Sequence, residues 1–536
     1  MSPDQILVNG RIHTLAPENS IVTALAVTRN AISAIGSDSE ILQLASNNTH
    51  VINLQDRLVI PGMVDAHCHF DHFSRQVNNV DAGQSNKRKL IKILANQTKI
   101  TPEEQWITGH GWDHNRWGED VPTASDIDVV APNHPVFLTG HSMHISWANS
   151  SAMTKAHINT STPDPPGGII GRDEHGNPNG IFYETASDLI VSVMPELSIH
   201  DVANNMLLAQ EKLWKTGLTG LHDYDHQISF NALELLSEND TLGLRVVKNM
   251  PASLLDEVIA TGYRTGSGDK WLRIGGIKVF MDGALGARTA SMLEPYELDT
   301  NNYGIVVTEE DELLSIANKA NTNGLAMTVH AIGDRANREV LNVYENLRQD
   351  EMERGDPPSK LRHRIEHVQL LHPNDYLRLA SSQIIASMQP IHATADMTLA
   401  EKYWGDRISG AYAWRTQIDA GAILAFGSDA PVESINPLWG IHAAVTRSNR
   451  TNNVGTIGWQ TKQCLTVDEA VRAYTIGAAY AAYRENDLGT LTPGKLADLV
   501  VLDKDIYHCD PMDIHTANVL GTMIDGTWKY RASDLY

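Results

Sequence analysis

Between residues 58 and 428 the chain alternates short apolar runs with helical patterns. Leu58–Asp65, Leu218–Asp223, Leu244–Met250, Ile274–Met281, Leu325–His330, Arg364–His367, Ile384–Gln389 and Ile423–Ser428 read as eight strands. Runs rich in Val, Ile and Leu, without polar alternation, suit strands covered on both faces. In the gaps, Thr308-Glu-Glu-Asp caps a helical run through Ala320, and Thr466-Val-Asp-Glu forms a capping box before Ala470. Strand–helix alternation predicts parallel β/α architecture, and eight strands fit a (β/α)8 TIM barrel with its chemistry at the strands' carboxyl ends. A doubly wound open sheet is the alternative, but no Gly-x-Gly-x-x-Gly follows an early strand.

The two ends have a different texture. Ile6-Leu-Val and Arg11–Leu15 flank Asn9-Gly10, a dipeptide suited to a type I′ hairpin, and Ala24–Val27 and Ala31–Ile35 flank Arg29-Asn30. Leu499–Leu502 follows Pro493-Gly494, and Val519–Ile524 meets Trp528 across Asp525-Gly526. Two β-rich ends predict one small sheet domain, residues 1–57 with 490–536, beside a barrel of residues 58–489. Residues 71–205 are too many for a barrel loop and contain their own strand, Pro135–Thr139, and a glycine-rich piece, Gly167–Gly180. They predict an inserted subdomain after strand 1, packed over the barrel mouth.

Composition narrows the class. The 536 residues are 42% hydrophobic and 20% charged, with a formal charge of −23. That charge argues against nucleic acid or an anionic membrane surface as a partner, because both select basic patches. Cys68, Cys464 and Cys509 are odd in number and far apart, unlike a disulfide framework. The N-terminus lacks the basic and apolar regions of a signal peptide, and no apolar run reaches the ~18 residues of a membrane span. A cytoplasmic enzyme is the expectation.

Chargeable groups fall at the predicted strand ends. His67 and His69 close strand 1, Lys278 lies on strand 4, His330 and His367 close strands 5 and 6, and Asp429 follows strand 8. Residues two apart on a strand share a face, so the His67/His69 pair can serve one ion while Cys68 points away. Each position alone has a plain structural explanation, but their conjunction at one barrel mouth points to a divalent metal. Imidazoles with a carboxylate suit Zn²⁺, with Mn²⁺, Fe²⁺ and Ni²⁺ as alternatives.

The segments Pro61-Gly-Met-Val-Asp-Ala-His-Cys-His, Lys278-Val-Phe-Met-Asp-Gly-Ala-Leu-Gly-Ala-Arg-Thr, Val329-His-Ala-Ile-Gly-Asp-Arg-Ala, Arg364-Ile-Glu-His, Gly427-Ser-Asp-Ala-Pro and Leu491-Thr-Pro-Gly-Lys-Leu-Ala-Asp-Leu span nearly the whole chain. Together they resemble the amidohydrolase superfamily, in its amidohydrolase family 3 branch related to N-substituted formamide deformylase. The resemblance implies a (β/α)8 barrel, a small β-sandwich built from both termini, and one or two metal ions. It places His67 and His69 on the more buried metal and His330 and His367 on the more exposed one. Lys278 falls where relatives carry a bridging lysine, often carboxylated by CO2; an ordinary ammonium has no lone pair to offer a cation. An unmodified Lys278 beside a single metal is the alternative. Asp429 would contact the buried metal and act as general base for the attacking water.

His144 in the insert and His392 after strand 7 are expected to face substrate, and His110 resembles a pocket-lining motif. Asp334 and Arg335 read as a helix-start pair, Asp282 and Arg288 as loop-ordering residues, and Trp404 and Trp414 as packing. The expected activity is metal-dependent hydrolysis of a non-peptide carbon–nitrogen bond in a small N-acyl, N-formyl or cyclic amide. Deamination of a nitrogen heterocycle is the second reading. Deaminases of this superfamily typically place Glu three residues after the strand-5 histidine, where this chain has Gly333. A catalytically inactive binding or regulatory barrel is the third reading, and the intact ligand set argues against it. A homodimer is the common assembly among similar proteins.

Overall fold

The computed structural model describes all residues except 1, 19, 85, 114–116, 118–121, 141–144, 452–457 and 536, and all described side chains except that of residue 78. The chain forms two compact units, Met1–His72 with Met206–Tyr536, and Phe73–Asn205. Among the described residues no helix is long and apolar enough to cross a membrane.

The larger unit contains an eight-stranded parallel sheet: β1 Met63–Cys68, β2 Leu218–Asp223, β3 Arg245–Pro251, β4 Leu272–Phe280, β5 Met327–Ala331, β6 Arg364–His367, β7 Ile385–Met388 and β8 Leu424–Phe426. Neighbours in sequence are neighbours in the sheet, from β1 round to β8. The strands form where residues are covered on both faces; β1, β2, β6, β7 and β8 are buried throughout. The last and first strands meet beyond their ends, where the Asp429 amide donates to the His67 carbonyl at 2.7 Å and the His69 amide to the Ala430 carbonyl at 2.8 Å. The Asp65 carboxylate pins the same seam, accepting from the His67 and Ser428 amides at 3.0 Å each. This approach requires Gly427: a Cβ there would lie 2.4 Å from the His67 nitrogen. The result is the (β/α)8 barrel predicted from the strand count.

The termini build two further sheets that share one core. The four-stranded sheet runs in the order Ala31–Gly36, Ala24–Thr28, Gln5–Val8, His50–Asn53. The six-stranded sheet runs Thr527–Arg531, Val519–Ile524, Leu499–Leu502, Leu58–Pro61, Arg11–His13, Ile21–Val22. Leu7, Leu25 and Val27 from the first sheet pack with Ile12, Val59, Leu499 and Val501 from the second.

Three local expectations change. Asn9-Gly10 does not close a hairpin, because Gln5–Val8 pairs with Ala24–Thr28 while Arg11–His13 joins the other sheet. Asn9, at φ +54°, turns the chain from one sheet to the next. The predicted strand 58–65 is two strands in two sheets, Leu58–Pro61 pairing with Leu499–Leu502 before the chain bends at Gly62 into the barrel. Finally, Thr308 does not cap its helix; its hydroxyl donates to the Phe280 carbonyl at 2.8 Å, and the helix Glu310–Thr322 begins after Glu309.

The second unit holds a six-stranded mixed sheet in the order Gly168–Arg172, Pro178–Glu184, Ile145–Ala148, Val136–Gly140, Ile107–Trp112, Val80–Asp81. Its core gathers Trp112 and Trp147, whose ring centroids lie 5.8 Å apart.

Candidate metal centre

The barrel strands deliver His67, His330 and His367 to one end, and the β8 seam swings Asp429 over them. Asp429 and His367 both have left-handed backbone, φ +60° and +79°. Non-glycine residues in that region are uncommon, and such strain collects at functional sites. At His367 the left-handed turn also breaks strand alternation, so Glu366 and His367, adjacent in sequence, both approach His67. The His367 ring centroid lies 4.8 Å from that of His67 and 4.6 Å from that of His330.

One nitrogen of each of these histidines is already occupied by an acceptor. His67 Nδ1 lies 2.7 Å from Glu366 Oε2, His69 Nδ1 3.1 Å from Asp225 Oδ1, and His367 Nδ1 2.8 Å from Gln389 Oε1. His330 Nε2 lies 3.0 Å from the Gly283 carbonyl. An oxygen acceptor at one ring nitrogen places the proton there and leaves a lone pair on the other. In the neutral rings the free lone pairs are therefore Nε2 of His67, His69 and His367, and Nδ1 of His330; at His69 the same Nε2 carries a proton toward Asp429 until a cation displaces it. His67 Nε2 and His69 Nε2 lie 3.5 and 3.3 Å from Asp429 Oδ1. Lone pairs facing a carboxylate oxygen repel unless a proton or a cation lies between them. The atoms of His67, His69 and Asp429, and those of His367, His392 and Asp429, fall within 4.8 Å of one another, spacing that accommodates an ion. Asp225 forms a third such group with His69 and His72, 2.6 Å from His72 Nδ1.

Charge follows this geometry. Burial, then the nearby Lys278 cation, pushes His67 down to about 4, so its imidazole is neutral. At His69 burial opposes the charge, but hydrogen bonds to Asp225 and Asp429 outweigh it and lift the ring to about 9. Burial pushes Asp429 up, yet His392 and His69 hold its carboxylate well below the usual range.

Lys278 is 3% exposed, and its Nζ has no hydrogen-bond partner. The Nζ sits 4.8 Å from the Tyr224 ring and 4.6 Å from the Phe280 ring. The Tyr224 ring stacks against His67 at 3.9 Å, and the Phe280 ring lies 5.2 Å from His330. Burial, opposed by Glu366 and Asp429, pushes the amine down to about 8.

His392 lies within 3.3 Å of Asp429 Oδ2, nearer the ligand set than a purely substrate-facing role requires. His144 lies outside the described residues. Asp282 orders the loop after β4, accepting from the amides of Ser291, Ile332 and Gly333 at 2.8–3.0 Å. Arg288 pairs with Asp299, Asp334 accepts from the Leu293 amide, and Trp404 and Trp414 are fully buried packing.

Four residues unassigned by sequence reasoning support the site: Glu366, Tyr224, Asp225 and Gln389. Tyr224 donates to Glu366 Oε1 at 2.8 Å, and Arg364 pairs with Glu366 at 2.9 Å. Their only sequence signal is position: Glu366 inside Arg364-Ile-Glu-His, and Tyr224, Asp225 and Gln389 just past strand ends.

The profile of the amidohydrolase family matches residues 50–530. The chain is 32% identical to the putative amidohydrolase YtcJ of Bacillus subtilis, over 98% of this chain and 99% of that one. It is 26% identical to the N-substituted formamide deformylase of Arthrobacter pascens, over 98% of each. An uncharacterized metal-dependent hydrolase from Pyrococcus furiosus superposes with a TM-score of 0.75 at 27% identity, covering 94% of this chain and 99% of that one.

Proposed function

The chain belongs to the amidohydrolase family of metal-dependent hydrolases, and we propose that it cleaves a non-peptide carbon–nitrogen bond in a small N-acyl, N-formyl or cyclic amide. The observation carrying this reading is the grouping of His67, His69 and His367 with Asp429, each ring held by an oxygen acceptor on its other nitrogen, with His330 packed against His367 and Lys278 Nζ buried without a partner. The donor set, neutral imidazoles and one carboxylate, suits Zn²⁺, with Mn²⁺, Fe²⁺ and Ni²⁺ as chemical alternatives. His67, His69 and Asp429 would hold one ion, and His330 and His367 a second.

Lys278 bears on the number of ions. As an ammonium it has nothing to donate to a cation. Burial favours its neutral amine, whose nitrogen can add to CO2 and lose a proton, giving a carbamate with two oxygens. Such a group would bridge the two halves of the ligand set.

Bound divalent metal would supply Lewis acidity toward the carbonyl oxygen and lower the pKa of water to about 7. This chain's residues do the rest. Asp429, held ionised among histidines, accepts the proton of the attacking water and returns it to the leaving nitrogen, which departs poorly as an anion. Glu366 and Asp225 keep His67 and His69 in the ligating tautomer. His392, beside Asp429, faces the reacting end of the substrate. The non-peptide and N-formyl preference rests on likeness to the formamide deformylase. Deamination is the weaker reading, because Gly333 stands where that chemistry uses a carboxylate.

The test is a screen of N-formyl and N-acyl amines with protein loaded with Zn²⁺ in bicarbonate. We expect metal-dependent turnover that Asp429→Asn abolishes while most of the metal stays bound. Fully metal-loaded protein inert toward every amide in the set would refute the assignment.

A further inference from the structure

At the amino ends of the barrel strands, away from the candidate metal centre, a cavity little larger than a water molecule is lined by His222, Arg245, Lys270, Arg273 and Arg484. Strand pairing sets His222, Val247 and Arg273 side by side on β2, β3 and β4, so their side chains share a face. The surrounding charges do not balance. Arg245 pairs with Asp498 at 2.6 Å and Asp525 at 3.2 Å, Lys270 pairs with Asp525 at 2.7 Å, and Arg484 pairs with Asp487 at 2.9 Å. Arg273 has no carboxylate partner among the described residues, and its Nε is buried without an acceptor. Four cations therefore face three carboxylates. The crowding is felt at Arg484, which burial, then Arg245 and Arg273, push below the ordinary guanidinium value.

His222 supplies a second buried donor. It is 0% exposed, and its Nδ1 lies 2.8 Å from Arg364 Nη1. A guanidinium only donates, so His222 Nδ1 accepts and the ring proton sits on Nε2. That Nε2–H is buried without a partner, and His222 is one of the residues lining the cavity. Two unsatisfied N–H groups beside one excess positive charge form a site for an acceptor that is also an anion.

We propose that this cavity binds a small monovalent anion of chloride size, held by Arg273 Nε–H and His222 Nε2–H. The cavity size excludes larger oxyanions and organic acids. The site lies at the opposite end of β4 from Lys278, and His222 connects through Arg364 and Glu366 to His67.

Thermal unfolding of the metal-loaded protein in potassium gluconate, with chloride or bromide replacing gluconate at constant ionic strength, tests this. Gluconate is too large to enter. The expected result is a saturable rise in Tm with either halide, absent in Arg273→Met. Bromide-soaked crystals should show an anomalous peak within hydrogen-bond distance of Arg273 Nε and His222 Nε2. A Tm that follows ionic strength alone, a halide shift retained in Arg273→Met, or a site holding only water would each overturn the proposal. The bromide measurement uses the unaltered chain, so it decides the matter even if the variant folds poorly.

Discussion

At the scale of single residues, the candidate centre is organised by groups that would never touch a metal. Glu366 fixes the His67 tautomer, is itself held by Tyr224 and Arg364, and stays well below the usual carboxylate range because Arg364 and His67 outweigh its burial. Carboxylates behind ligating histidines typically contribute about 10–100-fold in metal affinity. Glu366→Gln should weaken metal binding by about that factor, read by competition with a chelator, and Glu366→Asp should restore part of it. The proton on His69 predicts a pH effect. With its ring lifted to about 9, metal must displace a proton from this residue at neutral pH. Apparent affinity should therefore rise about tenfold per pH unit as pH approaches 9, and a flat profile between pH 6 and 8 would contradict the assignment. The candidate ligands were legible in the sequence because each stands on or just past a predicted barrel strand. Glu366, Tyr224, Asp225 and Gln389 were not, because their roles depend on partners elsewhere in the chain. Glu366 meets His67 across 299 residues and Tyr224 across 142.

At the scale of elements, most barrel strands were readable because burial on both faces leaves apolar runs; Arg364-Ile-Glu-His is the exception, its polar side chains buried in mutual pairing. The strand limits at the terminal domain were not readable. Asn9-Gly10 correctly marked a turn, but turn chemistry does not say which sheet receives the next strand. Leu58–Asp65 looked like one strand, although Pro61-Gly62 was the available sign of a break. Gly62 is needed at the bend, since a Cβ there would lie 2.4 Å from the Thr219 side chain. The β1–β8 seam is the element-level feature on which the site depends most. Gly427→Ala would drive a methyl group into the His67 backbone, an overpacking that typically costs about 1–3 kcal/mol. We expect a lower Tm and, more tellingly, loss of metal retention at temperatures where the variant remains folded.

At the scale of the whole molecule, all described candidate ligands lie in the larger unit, while Phe73–Asn205 has its own sheet and cores. Metal at about 100 times its Kd adds about 2.7 kcal/mol to whatever binds it. Calorimetry should show metal raising the transition of the larger unit and leaving that of residues 73–205 unmoved; a common shift would mean that the two unfold as one. The six-stranded terminal sheet also sets an order of events during synthesis. Leu58–Pro61, from which β1 hangs, takes its place between Arg11–His13 and Leu499–Leu502. The latter strand is made about 440 residues later, roughly 20–90 s at about 5–20 residues per second. Until then the nascent chain carries an open strand edge next to His67 and His69. The first candidate ligands to leave the ribosome are thus among the last to be locked in place.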